Sequence, residues 1–162
     1  MKITLGERTA EAAAVYFERS RTPAIREMLP QKVRTLEEAL EDFHKTQAPG
    51  ADSFGRTIYA NGQYVGDVWC YCMDPGGDPQ AMVSYCVFAQ ELWGRGAATE
   101  ALGLFLEDIR ERFGLERIGA FTFAANTASI RVLEKNGFRL AEAFMEDGVK
   151  SGYYLRASSE GA

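Results

Sequence analysis

The clearest pattern of apolar and polar positions lies between residues 95 and 113. Apolar side chains recur there every three or four positions, which is the spacing of one face of an α-helix. The recurring positions are Ala98, Leu102, Phe105, Ile109 and Phe113. Gly114 follows the last of them, and a glycine just past the apolar stripe is a common helix end. The pattern predicts a helix over Arg95 to Phe113.

Strand signals precede this helix. Residues Ala81 to Phe88 are nearly all apolar, which is typical of a strand buried on both faces. Earlier in the chain, Asn61-Gly62 separates two β-rich runs, and this pair is a strong signal for a tight hairpin. The runs are predicted as strands over Phe54 to Ala60 and Tyr64 to Met73.

The remaining elements follow from capping and turn residues. A helix is expected from Ala10 to Ser20, and Thr35 with Glu38 forms a capping box that opens a second helix. Pro23 and Pro30 are expected to interrupt the stretch between them. The other elements are predicted as strands over Lys2 to Leu5, Arg117 to Phe123, Phe138 to Phe144 and Tyr153 to Arg156, and a helix over Thr127 to Asn136.

The order of these elements indicates the fold class. Antiparallel hairpins lie early and late, with β-α-β units between them, so the sequence predicts an α/β fold whose mixed sheet carries helices on both faces. No repeat or linker interrupts this order, and a single domain is expected over residues 1–157. Residues 158–162 are expected to form a loose tail.

Composition narrows the function classes. The chain has 162 residues, of which 46% are hydrophobic and 25% charged, as in an ordinary globular protein. Its net charge of -5 argues against a nucleic-acid partner, because such proteins carry a clustered basic surplus. No apolar run approaches the length of a membrane span. We therefore expect a cytoplasmic protein that binds neither nucleic acid nor membrane.

The cysteines and the histidine bear on metal and covalent chemistry. Cys70, Cys72 and Cys86 are odd in number and form no C-x-x-C pair, so buried free thiols in a reducing compartment are expected. Cys70 and Cys72 are predicted to alternate along a strand and share one face. His44 is the only histidine, so no metal site is expected.

The segment with the most chemical information runs from Glu91 to Thr99, between the buried strand and the long helix. Gly94 and Gly96 allow a tight turn and leave backbone N–H groups accessible. The first N–H groups of the helix lack partners and lie at the positive end of its dipole, which favours an anion. The dinucleotide fingerprint does not fit, because Thr99 stands where it needs glycine. The residues alone leave two readings open, a phosphate site and a plain tight turn.

Two blocks of sequence resemble those of a known family. The first is residues 84–101, SYCVFAQELWGRGAATEA, which resemble the coenzyme A loop of the GNAT superfamily of N-acetyltransferases, R/Q-x-x-G-x-G/A. Gly94 and Gly96 match this loop, whereas Glu91 stands at the R/Q position. The second is residues 126–138, NTASIRVLEKNGF, which resemble the family segment N-x-x-S-x-x-V-L-E-K-x-G-F. Both blocks are nearest the branch that includes ribosomal-protein alanine and serine N-acetyltransferases.

The resemblance implies a mostly antiparallel sheet of about six to seven strands that splays in the middle. The pantetheine arm of acetyl-CoA would lie in the opening, with the pyrophosphate on the N–H groups from Gly94 to Thr99. The implied cofactor-binding residues are Val87, Phe88, Gly94, Arg95, Gly96, Ala97, Ala98, Thr99, Asn126 and Ser129. The Phe88 N–H would act as the oxyanion donor. For Asn126 and Ser129 the alternative role is helix capping, and Lys135 would reach a phosphate or remain in solvent.

The implied reaction is direct attack of a neutral amine on the thioester, without an acyl-enzyme. Many relatives carry a tyrosine acid where this chain has Glu134, and a glutamate base on a central strand, which this chain lacks. Ser129 is therefore the expected acid, and the base is water or a residue such as Glu91 or Tyr153. The acceptor would be a protein N-terminus or a small molecule, and the protein a monomer or a homodimer. The alternative is a non-catalytic module that binds coenzyme A with the same loop.

Overall fold

The computed structural model describes residues 1–29 and 33–156, and a seven-stranded sheet forms the centre of this part of the chain. Its strands are β1 (Ile3–Glu7), β2 (Phe54–Ala60), β3 (Gln63–Tyr71), β4 (Ala81–Val87), β5 (Ile118–Phe123), β6 (Arg139–Glu146) and β7 (Val149–Arg156). The helices are α1 (Ala10–Arg19), α2 (Pro23–Met28), α3 (Leu36–Thr46), α4 (Ala97–Phe113) and α5 (Thr127–Lys135), with a short 3-10 turn at Gln90–Leu92. The predicted loose tail, residues 158–162, lies outside the described residues.

The sheet opens between its two central strands. The strand order is β1-β2-β3-β4-β5-β7-β6, and every neighbouring pair is antiparallel except β4 with β5. These two pair only at Ala81 with Ile118 and at Met82 with Gly119, and beyond these pairs they diverge. We call the space between their carboxyl ends the splay gap. The predicted mixed, mostly antiparallel and splayed sheet is thereby confirmed.

Helices cover both faces of the sheet, as predicted. On one face α4 packs Leu102, Phe105 and Ile109 into the main core, and α5 adds Leu133. The opposite face carries a second cluster that joins α1 and α2 to the end of β4. Its residues are Ile25, Cys86 and Phe88, with Tyr16 and Trp69 packed against them. Near the end of β3, Val68 and Cys70 face the main core and Trp69, between them, faces the second cluster, because a strand presents alternate residues to alternate faces.

Local capping residues act as the sequence predicts. The Thr35 hydroxyl accepts a hydrogen bond from the Glu38 N–H at 3.1 Å and caps α3, whereas the Glu38 carboxylate accepts from the Arg34 N–H at 3.0 Å rather than from the Thr35 N–H of a full capping box. Gly114 ends α4 in the left-handed conformation, with a φ of 72°. Asn61 and Gly62 also have positive φ, 50° and 82°, which a tight hairpin turn between β2 and β3 requires.

Several boundaries differ from the predictions: β1 ends at Glu7 rather than Leu5, and β7 begins at Val149 rather than Tyr153. Two further differences have a clear local cause. Pro23 was expected to interrupt the chain, but it begins α2, because a proline's fixed φ and missing N–H suit the first helical position. The long helix begins at Ala97 rather than Arg95. Its N-cap is Gly96, whose left-handed φ of 86° is incompatible with a helical position.

The three cysteines are free, but only two of them are buried. β3 ends at Tyr71, and Cys72 follows with a positive φ of 53° and an exposed side chain, so the predicted burial is wrong for Cys72. Burial raises the pKa of Cys70 to about 12 and the pKa of Cys86 to about 11. Both of these thiols are therefore protonated, and poorly nucleophilic, at neutral pH.

Cys72, the exposed one of the three thiols, should react quickly with Ellman's reagent in the native protein. At about pH 8, a pKa near 11 leaves only on the order of one thiolate per thousand molecules, so Cys70 and Cys86 should react slowly until the protein unfolds. Absorbance of the released chromophore measures both phases. Cys72→Ser is the matched control and should abolish the fast phase. Two fast thiols in native protein would contradict the assigned burial.

Two further features are excluded for residues 1–29 and 33–156. None of the helices there is both long and apolar enough to cross a membrane. No group of three or more histidine, cysteine, aspartate or glutamate side chains is placed there to hold a metal ion.

Candidate active site

Two glycines shape the junction between β4 and α4. Gly94 and Gly96 have φ values of 77° and 86°, in the region where other side chains are strained. A Cβ on either glycine would meet no atom of a non-neighbouring residue within 4 Å, so this side of the loop is open. The first bond of α4 runs from the Glu100 N–H to the Gly96 carbonyl at 3.0 Å. The N–H groups of residues 97–99 therefore lack intrahelical acceptors, as an anion site requires.

A cavity of about 420 Å³ extends from this junction to the splay gap, and we call it the main cavity. It contains eight of the ten cofactor-binding residues predicted from the sequence, namely Val87, Gly94, Gly96, Ala97, Ala98, Thr99, Asn126 and Ser129. Phe88 and Arg95 do not line it, and the Arg95 N–H donates to the Leu92 carbonyl at 3.2 Å. The charged side chains among its described lining residues are Arg131 and Lys135, both cations. The main cavity therefore suits an anionic ligand.

Asn126 performs the capping role that the sequence left open. Its Oδ1 accepts a hydrogen bond from the Ser129 N–H at 3.1 Å, at the N-terminus of α5. Its Nδ2 donates to none of the described protein groups and lies on the wall of the main cavity. Capping by one end of the amide is thus compatible with ligand binding by the other, since an asparagine amide carries both an acceptor and two donors.

Ser129 lies against a phenol that the sequence analysis did not single out. The Tyr85 hydroxyl, on β4, is 2.9 Å from Ser129 Oγ and 3.1 Å from the Ser129 carbonyl oxygen. Both residues line the main cavity. Burial raises the pKa of Tyr85, so its hydroxyl keeps its proton and can donate it in a hydrogen bond. No local pattern singles out Tyr85, because its contact with Ser129 joins residues 44 positions apart.

The end of β4 directs a backbone N–H into the splay gap, at Val87 rather than Phe88. The Phe88 N–H donates to the Val65 carbonyl at 2.9 Å, so it is not free for the predicted oxyanion role. Hydrogen-bonded and open pairs alternate along an antiparallel ladder, so Val87, paired with Gly66, has its backbone polar groups turned away from β3. The Val87 carbonyl accepts from Trp93 Nε1 at 2.7 Å, in agreement with that orientation.

The two side chains considered as bases lie elsewhere. Glu91 is exposed on the Gln90–Leu92 turn. Tyr153, on β7, packs against Phe121 with 5.3 Å between ring centroids. Neither is among the described residues that line the main cavity, so the structure does not bring them to Ser129.

A buried carboxylate, that of Asp67, lies on β3. Asp67 is 2% exposed, accepts a hydrogen bond from the Tyr64 hydroxyl and pairs with Arg8 at 3.1 Å. Burial raises its pKa, and the Arg8 guanidinium opposes that rise. Asp67 borders a cavity of about 250 Å³ beneath α1 and α3. Because each of its oxygens already has a partner, Asp67 holds Arg8 and Tyr64 in place in this arrangement.

A smaller cavity of about 140 Å³ adjoins the main cavity, and we call it the small cavity. The two share Met28, Leu29, Tyr85 and Ser129 as lining residues. Glu146, near the β6–β7 turn, is the charged residue among the described residues that line the small cavity. The Tyr85–Ser129 pair therefore stands between a cavity with cationic walls and one with an anionic wall.

A known family model covers most of the chain. Residues 2–139 match the family model described as the acetyltransferase (GNAT) domain. No curated protein sequence matches the chain.

Several solved structures of similar fold contain coenzyme A. A spermidine N-acetyltransferase from Vibrio cholerae with CoA and spermine is 14% identical, with a TM-score of 0.85 over 97% of this chain and 96% of that chain. RimL, a ribosomal L7/L12 alpha-N-protein acetyltransferase in complex with coenzyme A, is 18% identical, with a TM-score of 0.81 over 98% and 95%. The aminoglycoside acetyltransferase AAC(6')-Ib with coenzyme A and kanamycin is 18% identical, with a TM-score of 0.79 over 96% and 95%. At these identities the likeness shows a shared fold.

Proposed function

Because the chain belongs to the GNAT acetyltransferase family, whose model matches residues 2–139, we propose that it transfers the acetyl group of acetyl-CoA directly to an amine. The observation that carries the proposal is the main cavity, which joins the N-terminus of α4 to the splay gap. A ligand with a phosphate group at one end and a thioester at the other fits this path. The phosphates would meet helix N–H groups, and the thioester would meet β4.

The donor binds along this path in a defined direction. Its pyrophosphate lies on the N–H groups of Gly96 and residues 97–99, where the helix dipole favours negative charge. Arg131 and Lys135 lie on the same cavity wall and attract its phosphates. The pantetheine amides run through the splay gap, where the Asn126 Nδ2 is available as a donor.

The acetyl group is transferred in one attack, without an acyl-enzyme. The amine lone pair adds to the thioester carbon, and the Val87 N–H stabilises the oxyanion that forms. The C–S bond then breaks, its electron pair moves to sulfur, and Ser129 lies next to that atom. Cys86 also lines the cavity, but burial raises its pKa to about 11, so it is a weak nucleophile at neutral pH.

The acceptor amine enters through the small cavity. This cavity meets the main one at Tyr85 and Ser129, and Glu146 attracts an ammonium group toward it. Similar solved structures are named for aminoglycoside, spermidine and ribosomal-protein acceptors, and the acceptor here is a protein N-terminus or a small molecule of this cationic kind. Unpaired cysteines suit a reducing compartment, and we infer a cytoplasmic enzyme.

Release of free coenzyme A measures the proposed activity. The protein should release thiol from acetyl-CoA in the presence of at least one of three acceptor sets: peptides with free N-termini, polyamines or aminoglycosides. The same peptides with acetylated N-termini and no lysine are the matched control, since they offer no amine. Mass spectrometry should find one added acetyl group on the acceptor. Tight binding of acetyl-CoA without turnover of any amine would instead support the non-catalytic module.

A further inference from the structure

Tyr85 lines both the main cavity and the small cavity, and its hydroxyl is 2.9 Å from Ser129 Oγ, which also lines both. We propose that Tyr85 is a positioning residue for acetyl transfer, which fixes the Ser129 hydroxyl so that its proton points at the sulfur of the departing coenzyme A. The proposal rests on the proposed function and adds to it the group that orients the acid-side hydroxyl. Tyr85 comes from β4, within the first family-like block, whereas the acid expected from the resemblance lies on α5.

Hydrogen-bond accounting supports this role. A hydroxyl carries one proton and two acceptor lone pairs. The single Tyr85 proton has two acceptors within reach, the Ser129 carbonyl oxygen at 3.1 Å and Ser129 Oγ at 2.9 Å. When it goes to the nearer Oγ, which is the arrangement the proposal requires, the proton of Ser129 itself is left for a third group. That third group lies in the main cavity, which both side chains line. The raised pKa of Tyr85 keeps its proton in place for this donation.

Without Tyr85, Ser129 would have a different partner. Serine hydroxyls within helices commonly donate back to a carbonyl three or four residues earlier, which for Ser129 means Asn126 or Ala125. That bond would turn its proton away from the cavity. The Asn126 side chain already fixes the Ser129 backbone through its N–H at 3.1 Å, so Tyr85 supplies the remaining constraint, on the side chain.

Tyr85 and Ser129 need only stabilise the departing sulfur with one hydrogen bond. When the tetrahedral adduct collapses, the C–S electron pair moves to sulfur, and the proton lost by the amine goes to water. The thiolate, whose pKa is about 8.5 as a free thiol, needs a hydrogen bond rather than a full proton transfer. Ser129 donates that bond, and Tyr85 holds Ser129 in the donating orientation. Neither residue changes its net protonation.

A double-mutant cycle tests the proposal, with kcat measured on the acceptor that wild-type protein acetylates. Ser129→Ala should lower kcat by about tenfold to a hundredfold, with little change in coenzyme A affinity. Tyr85→Phe should lower kcat by a similar or slightly smaller factor, because the ring stays and only the orienting hydroxyl is lost. The double variant should be no slower than Ser129→Ala alone, because Tyr85 acts through Ser129. Tyr71→Phe, a half-buried strand tyrosine that lines neither cavity, is the matched control and should leave kcat unchanged.

The outcomes of the cycle distinguish a positioning role of Tyr85 from a structural one. A positioning role predicts that Tyr85→Phe loses kcat but keeps the wild-type affinity for coenzyme A and the wild-type melting temperature. A structural role would lower the melting temperature as well. Full kcat in Tyr85→Phe, or multiplicative losses in the double variant, would overturn the proposal while wild-type turnover upheld the proposed function. Absence of wild-type turnover with every amine would overturn both.

Discussion

Gly96→Glu should abolish measurable coenzyme A binding while the protein stays folded. A side chain at this position projects into the open side of the loop, where no atom of a non-neighbouring residue lies within 4 Å of a Cβ. Its carboxylate would occupy the N-terminus of α4 and accept hydrogen bonds from the N–H groups that we assign to the pyrophosphate. Its negative charge would also repel the pyrophosphate. Two unit charges about 4 Å apart near a protein surface interact by roughly 4 kcal/mol, so we expect affinity to fall at least a hundredfold. Calorimetric titration with coenzyme A measures the loss.

The expected loss should come from charge rather than from backbone strain. Any side chain at Gly96 must adopt its φ of 86°, which costs about 1–2 kcal/mol of stability. Gly96→Gln is therefore the matched control, since it carries the same strain and nearly the same volume without the charge. It should keep most of the affinity that Glu removes, and both variants should have native circular dichroism. Equal losses in both would assign the effect to shape, and full affinity in folded Gly96→Glu would place the pyrophosphate elsewhere.

Elements with local signals could be predicted from the sequence, whereas contacts between elements could not. The end of α4 is marked by Gly114, and the turn between β2 and β3 by Asn61-Gly62, because each of these residues takes a φ that few others tolerate. The tight turn before α4 could be predicted for the same reason, since Gly94 and Gly96 both have positive φ. These features depend on neighbours in sequence and are therefore visible in the sequence.

The acid side of the site depends on distant parts of the chain. Tyr85 and Ser129 are 44 positions apart, and their contact requires β4 and α5 to pack at a particular depth. Periodicity places Tyr85 on a strand face but does not say which helix residue lies opposite. Asp67 was missed for a similar reason, because its burial depends on Arg8 and Tyr64.

The proposed oxyanion donor depends on which residues of β4 direct their N–H groups toward β3 and which direct them away, since the two alternate along the strand. One residue's shift reverses the direction of every N–H, and the parity is set by pairing with β3, where Gly66 faces Val87. The sequence resemblance suggested Phe88, but the hydrogen bond from the Phe88 N–H to the Val65 carbonyl at 2.9 Å indicates that Val87 is the residue directed into the splay gap. A side-chain substitution cannot test this, because the group in question is the backbone itself.

An ester in place of the amide at Val87 should lower kcat by about two to three orders of magnitude, the usual effect of losing one oxyanion donor. Incorporation of the α-hydroxy analogue of valine at this position replaces the N–H with an oxygen and keeps the side chain. The Val87 N–H is turned away from β3, so its loss should change the melting temperature little. The affinity for coenzyme A should also hold, because the bond strengthens only as the oxyanion forms. Steady-state acetyl transfer and calorimetry measure the two quantities.

The same exchange at Phe88 is the matched control, and it should give the opposite pattern. It removes the donor to the Val65 carbonyl, a bond of the sheet, so the melting temperature should fall by an amount that corresponds to about 1 kcal/mol. Turnover per folded molecule should stay within a few-fold of the wild type, because this N–H points into the sheet and not into the splay gap. A large kcat loss at Phe88 with none at Val87 would restore the assignment expected from the sequence. A kcat loss at neither position would mean that the thioester oxygen is stabilised by a group outside β4.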